Sequence, residues 1–71
     1  MSYDTKGRVG KKNSYSMVYS RPSIMSDDVT RLRDGEEIEI NSAESTSCYY
    51  KIRTASGHEG YIMICDVDVE G

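Results

Sequence analysis

Val18-Tyr19-Ser20-Arg21-Pro22-Ser23, then Leu32-Arg33-Asp34-Gly35-Glu36-Glu37-Ile38-Glu39-Ile40, then Tyr49-Tyr50-Lys51-Ile52-Arg53 and Gly57-His58-Glu59-Gly60-Tyr61-Ile62, place short runs of β-forming residues between turn residues at nearly even spacing. That rhythm predicts an all-β fold, a small closed or nearly closed barrel. Its interior is expected to hold Ile38, Ile40, Ile52 and Ile62, one from each turn of the alternation.

Working outward, Ile38 and Ile40 alternate with Glu37 and Glu39, the pattern of a half-buried strand. Tyr15 to Tyr19 alternate as well, with Tyr15, Met17 and Tyr19 on one face. Pro22 then removes a ladder donor and biases Arg21 to an extended backbone, so regular pairing stops there. The segment Ser26 to Gly35 carries two signals. Ser26, Asp27 and Asp28 followed by Arg31, Arg33 and Gly35 suit one helical turn. With only Val29 and Leu32 as apolar residues, a short strand over Thr30 to Arg33 and an Asp34-Gly35 turn are expected instead, after a long loop.

Residues 48–53 and 60–65 read as a hairpin around Thr54 to Glu59. Pairing Ile52 with Tyr61 would set Tyr50 against Met63 and Cys48 against Cys65. The two cysteines are then either small buried thiols or a disulfide, the latter implying an oxidising compartment. Val67 and Val69 can add a last edge strand. Residues 1–14 form a basic arm or an edge strand around Arg8-Val9, and residues 15–71 form the barrel domain.

With 71 residues, no Trp and no Phe, the six Tyr and four Met must share the bulk with the aliphatic residues. Such a body suits a thin barrel interior and leaves little room for a deep catalytic cleft. Residues 1–12 hold four basic side chains and one acidic, and residues 13–71 hold five basic and eleven acidic. An acidic body repels phosphate backbones, which argues against nucleic acid as a partner of the barrel. No apolar run is long enough to span a bilayer, and the first residues lack the apolar stretch of a secretion signal.

Catalytic chemistry has few candidates. His58 lies in the predicted hairpin turn away from both cysteines, so a Cys-His nucleophilic pair lacks geometry, and no catalytic residue is assigned. Two cysteines and one histidine match no zinc spacing, and Asp27, Asp28, Glu36, Glu37 and Glu39 follow no calcium-loop order. No metal and no cofactor is expected.

The run Val18 to Ser23, the acidic loop at Ser26 to Asp28, the Val29 to Leu32 spacing, Gly35 before Ile38-Glu39-Ile40, Tyr49 to Ile52 and Gly57 to Ile62 together resemble the bacterial Src-homology-3-like (SH3b) family, over residues 15 to about 67. The resemblance implies a five- to six-stranded SH3-like barrel with a long first loop, room for one short helical turn, and no enzyme activity of its own. It also implies a shallow groove bordered by Tyr19 and Tyr49; Arg21, beside Tyr19 and opening the loop that holds Pro22, is a candidate anchor for a carboxylate. The ligand would be cell-wall (peptidoglycan) peptide or another extended peptide, met in the cell envelope or outside the cell. Tyr49 and Tyr61 stand where the family usually has Trp, and the Pro and Tyr that bind proline-rich ligands in the eukaryotic fold are missing. The alternative is an intracellular interaction or assembly protein working through oligomerisation or its basic arm.

Overall fold

A computed structural model describes residues 3–12 and 14–70 of the chain. Residues 1, 2 and 13 of the expected arm, and residue 71, lie outside the described residues. Seven strands follow in order: β1 (Thr5–Val9), β2 (Tyr15–Tyr19), β3 (Asp28–Arg33), β4 (Glu37–Asn41), β5 (Tyr49–Thr54), β6 (Glu59–Met63) and β7 (Val67–Glu70). Two 3-10 turns, Ser42–Glu44 and Ile64–Asp66, interrupt them. The all-β reading holds, and both optional terminal strands form, which brings the total to seven. Among the described residues no helix is long and apolar enough to cross a membrane.

All seven strands join one antiparallel sheet in the order β3-β2-β6-β5-β4-β1-β7. One face supplies a single core: Val9, Val18, Leu32, Ile38, Ile40, Ile52 and Ile62 are buried together, with Val29, Tyr50 and Val67 packed against them. A flat seven-stranded sheet would keep its end strands roughly 29 Å apart at the usual strand spacing. Here Leu32 of β3 and Val67 of β7 pack on the same cluster, so the sheet curls round it. The four isoleucines singled out in the sequence all point inward, and Ile52 and Ile62 are fully buried. Full burial of each such side chain is worth about 1.5–3 kcal/mol.

Two expectations change and one is extended. β1 is not an edge: it pairs with β4 on one side and β7 on the other, because Gly7 and Val9 turn inward onto the core. The strand expected over Thr30 to Arg33 forms and starts earlier, as Asp28–Arg33, since pairing with β2 and burial of Leu32 outweigh the local capping signals. The hairpin register is Ile52 opposite Gly60, one residue from Ile52 opposite Tyr61. The cause is the turn. Gly57, at φ 96, closes the three-residue loop Ala55–Gly57 with its N–H on the Thr54 carbonyl, while the Thr54 N–H reaches the His58 carbonyl.

Candidate functional site

Strand parity decides what the sheet shows to solvent. On β2 the inward residues are Ser16 and Val18, leaving Tyr15, Met17 and Tyr19 outside. Tyr19 pairs with Tyr61 of β6, and Tyr61 pairs with Lys51 of β5. Tyr49 lies two residues before Lys51 on the same face and pairs with Met63. The result is a platform of three half-buried tyrosines, Tyr19, Tyr49 and Tyr61, with Met63 at its margin.

The rings of Tyr19 and Tyr49 meet edge to face, with centroids 6.3 Å apart and planes at 84°. That arrangement sets the positive edge of one ring against the negative face of the other. The Lys51 ammonium lies 5.1 Å from the Tyr61 ring centroid and 3.7 Å from a Glu44 carboxylate oxygen. Its charge is thus balanced where it borders the platform.

Arg21 follows directly from Tyr19 through Ser20. It sits in the loop between β2 and β3, where the Ser20 N–H donates to the Asp27 carbonyl at 2.8 Å. Ser26, nearly buried, holds the loop from within. Its hydroxyl lies 2.6 Å from the Ser23 carbonyl oxygen and 3.1 Å from that of Arg21, and accepts from the Arg21 N–H. The Arg21 side chain is exposed, and among the described residues it forms no ion pair. The structure therefore brings Tyr19 and Tyr49 into contact and leaves Arg21 at the rim. Tyr61, Lys51 and Met63 were not singled out as site residues; the alternation along β5 and β6 assigns them once the hairpin register is known.

Beyond the platform, the outer face is a row of alternating charge. Glu70, Lys6, Glu39, Arg53 and Glu59 stand opposite one another in succession across β7, β1, β4, β5 and β6. Arg53 binds Glu39 through Nε and Nη2 at 3.0 and 2.7 Å, which raises its already high pKa. The same guanidinium lies 4.5 Å from the ring centroid of Tyr3, whose hydroxyl donates to Glu59 at 2.8 Å. Burial, then the hydrogen bond to Glu59, pushes the Tyr3 phenol up to about 12. A cleft of about 340 Å³ opens beside this row, lined in part by Lys6, Gly7, Ile38 and Gly57. The carboxylates at its rim, Glu37, Glu39 and Glu70, are each held by an arginine. The tyrosine platform, with the free Arg21 beside it, is the better candidate for recognition.

His58 is exposed, and its Nδ1 lies 3.0 Å from the Ser56 hydroxyl, which in turn lies 3.0 Å from the Thr54 hydroxyl. Together with the His58 N–H donated to Thr54 Oγ1, these contacts tie the hairpin turn to itself. Cys48 and Cys65 are both free and both exposed, not the buried pair or the disulfide considered from the sequence. With the register shifted, the Cys48 carbonyl accepts from the Ile64 N–H, and the Cys65 thiol turns toward Asp66. Among the described residues no three His, Cys, Asp or Glu side chains gather to hold a metal ion.

No family model matches the chain. No curated protein matches it either. Among solved structures, that of NlpC2 from Trichomonas vaginalis superposes with a TM-score of 0.73 at 16% identity, covering 92% of this chain and 23% of that one. At that identity the likeness speaks for the fold alone. The chain spans less than a quarter of the length of that protein.

Proposed function

We propose that this chain is a non-catalytic binding module of the SH3b kind, holding cell-wall peptide or another extended peptide across the tyrosine platform. The observation that carries this reading is the edge-to-face contact of Tyr19 and Tyr49 at 6.3 Å, beside the loop that holds Arg21 outward. Tyrosines offer rigid contact area with a polar tip and lose few rotamers on binding. An extended peptide lays its apolar side chains over Tyr19, Tyr49 and Tyr61, while Arg21 meets a carboxylate at the rim. The patch is small, so affinity is weak and exchange fast. His58 lies in the turn at the opposite end of β6 from Met63, so no histidine base stands at the platform. The fold shared with NlpC2 supports the reading at the level of architecture.

Retention on purified peptidoglycan tests it. The wild-type chain is expected to be retained, and Tyr49→Ala and Arg21→Ala to wash off while keeping their fold. If the wild type is not retained, the cell-wall ligand is wrong. NMR shift mapping with a panel of extended peptides then decides the wider reading, and a platform whose tyrosine resonances stay still with every peptide overturns it.

A further inference from the structure

Seven antiparallel strands are an odd number, so the two end strands of the sheet, β3 and β7, run in the same direction. Among the described residues each is paired on one side only. Hydrogen-bonded and non-bonded pairs alternate along an antiparallel ladder, which fixes which backbone groups face the open side. On β7 the Gly10 N–H donates to the Asp66 carbonyl, so Asp68 and Glu70 bond inward to β1 and Val67 and Val69 face outward along the edge. On β3 the Ser20 N–H donates to Asp27, so by alternation along β2 Val18 and Ser16 also bond across; the register shift between Val18 and Tyr19 makes Thr30 and Leu32 their partners, which turns Arg31 and Arg33 to the open edge, where Glu36 bonds the N–H and the carbonyl of Arg33.

The side chains on these edges are complementary. β3 shows Arg31 and Arg33 on the outer face, both exposed, and neither forms an ion pair among the described residues. β7 shows Asp68 and Glu70 on the outer face, Glu70 half exposed and shared with Arg8 at 3.6 Å. On the inner face β3 carries Thr30 and Leu32, and β7 carries Val67 and Val69, the last 46% exposed. A shallow depression lined by Tyr15 and Met17 of β2 and by Asp28, Val29, Thr30 and Arg31 spans the last two strands at this end of the sheet.

We propose that copies of this chain add edge to edge, with β7 of one copy lying parallel to β3 of the next. Arg31 then stands opposite Asp68, Arg33 opposite Glu70, Leu32 opposite Val69 and Thr30 opposite Val67. This register satisfies face, charge and hydrogen bonding at once. The Arg31 N–H meets the Val67 carbonyl, and the Val69 N–H meets the Arg31 carbonyl. Pairing like with like fails on charge: two β7 edges oppose Asp68 and Glu70, and two β3 edges oppose arginines, each a repulsion. The contact is head to tail, so it propagates until it closes or is capped.

One feature limits its length. The Glu36 carboxylate accepts from the Arg33 N–H at 2.8 Å, covering the last donor of the β3 edge. Glu36→Ala uncovers it and is expected to strengthen association. Neither pair of opposing charges includes Tyr19, Tyr49 or Arg21, so edge addition stands or falls independently of peptide binding.

Sedimentation velocity over a concentration series at low salt reads the outcome. The wild type is expected to gain mass with concentration and to lose it at high salt. Arg31→Glu with Arg33→Glu, or Asp68→Lys with Glu70→Lys, each leaves a monomer, the association constant falling about tenfold or more. Mixing these two variants restores association, because each then presents the edge the other needs. Where charge reversal unfolds a variant, Arg31→Gln with Arg33→Gln and Asp68→Asn with Glu70→Gln are read the same way. A wild type that stays monomeric throughout, association that ignores both charge sets, or a mixture that stays monomeric overturns the assignment.

Discussion

The α-carbon of Gly60 faces the carbonyl of Tyr19 so closely that a β-carbon at position 60 would stand 2.5 Å from that oxygen and 2.7 Å from Val18 Cγ1. At this crossing β2 and β6 meet through the one paired position, Tyr19 and Tyr61. Gly60→Ala is therefore expected to force the two strands apart and cost about 1–3 kcal/mol. A fall in the urea midpoint, with the Tyr19 and Tyr61 resonances the most shifted, is the outcome to look for. An unchanged midpoint would mean that the strands can separate freely.

Ser16 is the opposite case. It points into the core of β2 at 2% exposure, and its hydroxyl has no hydrogen-bond partner among the described residues. A buried unpaired polar group costs about 1–3 kcal/mol, whereas a methyl of similar shape costs nothing there. Ser16→Ala should leave stability unchanged or raise it, seen as an equal or higher thermal midpoint; a clear loss would reveal a hydrogen bond to this hydroxyl.

Ser26 anchors the loop that carries Arg21. Removing its hydroxyl leaves the Arg21 N–H without its side-chain acceptor in a part-buried place. Ser26→Ala is expected to cost about 1–2 kcal/mol and to speed amide exchange across residues 20–27. It should also weaken any ligand held by Arg21, with Tyr49 unaffected.

The N-terminal strand is clamped by two groups that titrate at opposite ends of the pH scale. The Ser42 hydroxyl, then its N–H, both donate to the Asp4 carboxylate and hold it below its ordinary 3.8. This contribution to stability is present above the ordinary value and is lost as pH falls through the lower, folded one. Tyr3 runs the other way: its contribution is complete below 10.0 and is lost as pH rises through about 12. Ultraviolet titration should show a phenol ionising at about 12, and Tyr3→Phe should remove that step. Asp4→Asn should flatten the acid limb of the stability profile.

Much of this architecture was legible from alternation. Glu37-Ile38-Glu39-Ile40 can bury only one face, and Tyr15 to Tyr19 behaves likewise, so the strands and the inward isoleucines follow from side-chain period alone. What alternation cannot supply is register, because a slip of one residue leaves the period intact while moving every side chain to the other face. The hairpin shows this: a six-residue loop and a three-residue loop closed by Gly57 fit the same letters. Pairing Ile52 with Tyr61 sets Cys48 opposite Cys65 and turns Tyr61 to the inward face of Ile52, away from the site. At β1 the sequence leaves arm and edge strand open, because its inward positions, Gly7 and Val9, offer a single large apolar side chain to recognise. Contact between Tyr19 and Tyr49 depends on β6 inserting between β2 and β5, a long-range fact with no local signal.

Because Cys48 is exposed and adjoins Tyr49 in the chain, and because the protein contains no tryptophan, a thiol-linked fluorophore there would report against a dark background. Cys65 would have to be blocked first by substitution. A dye so placed turns the tyrosine surface into its own sensor, able to follow an incoming molecule in real time without labelling that molecule.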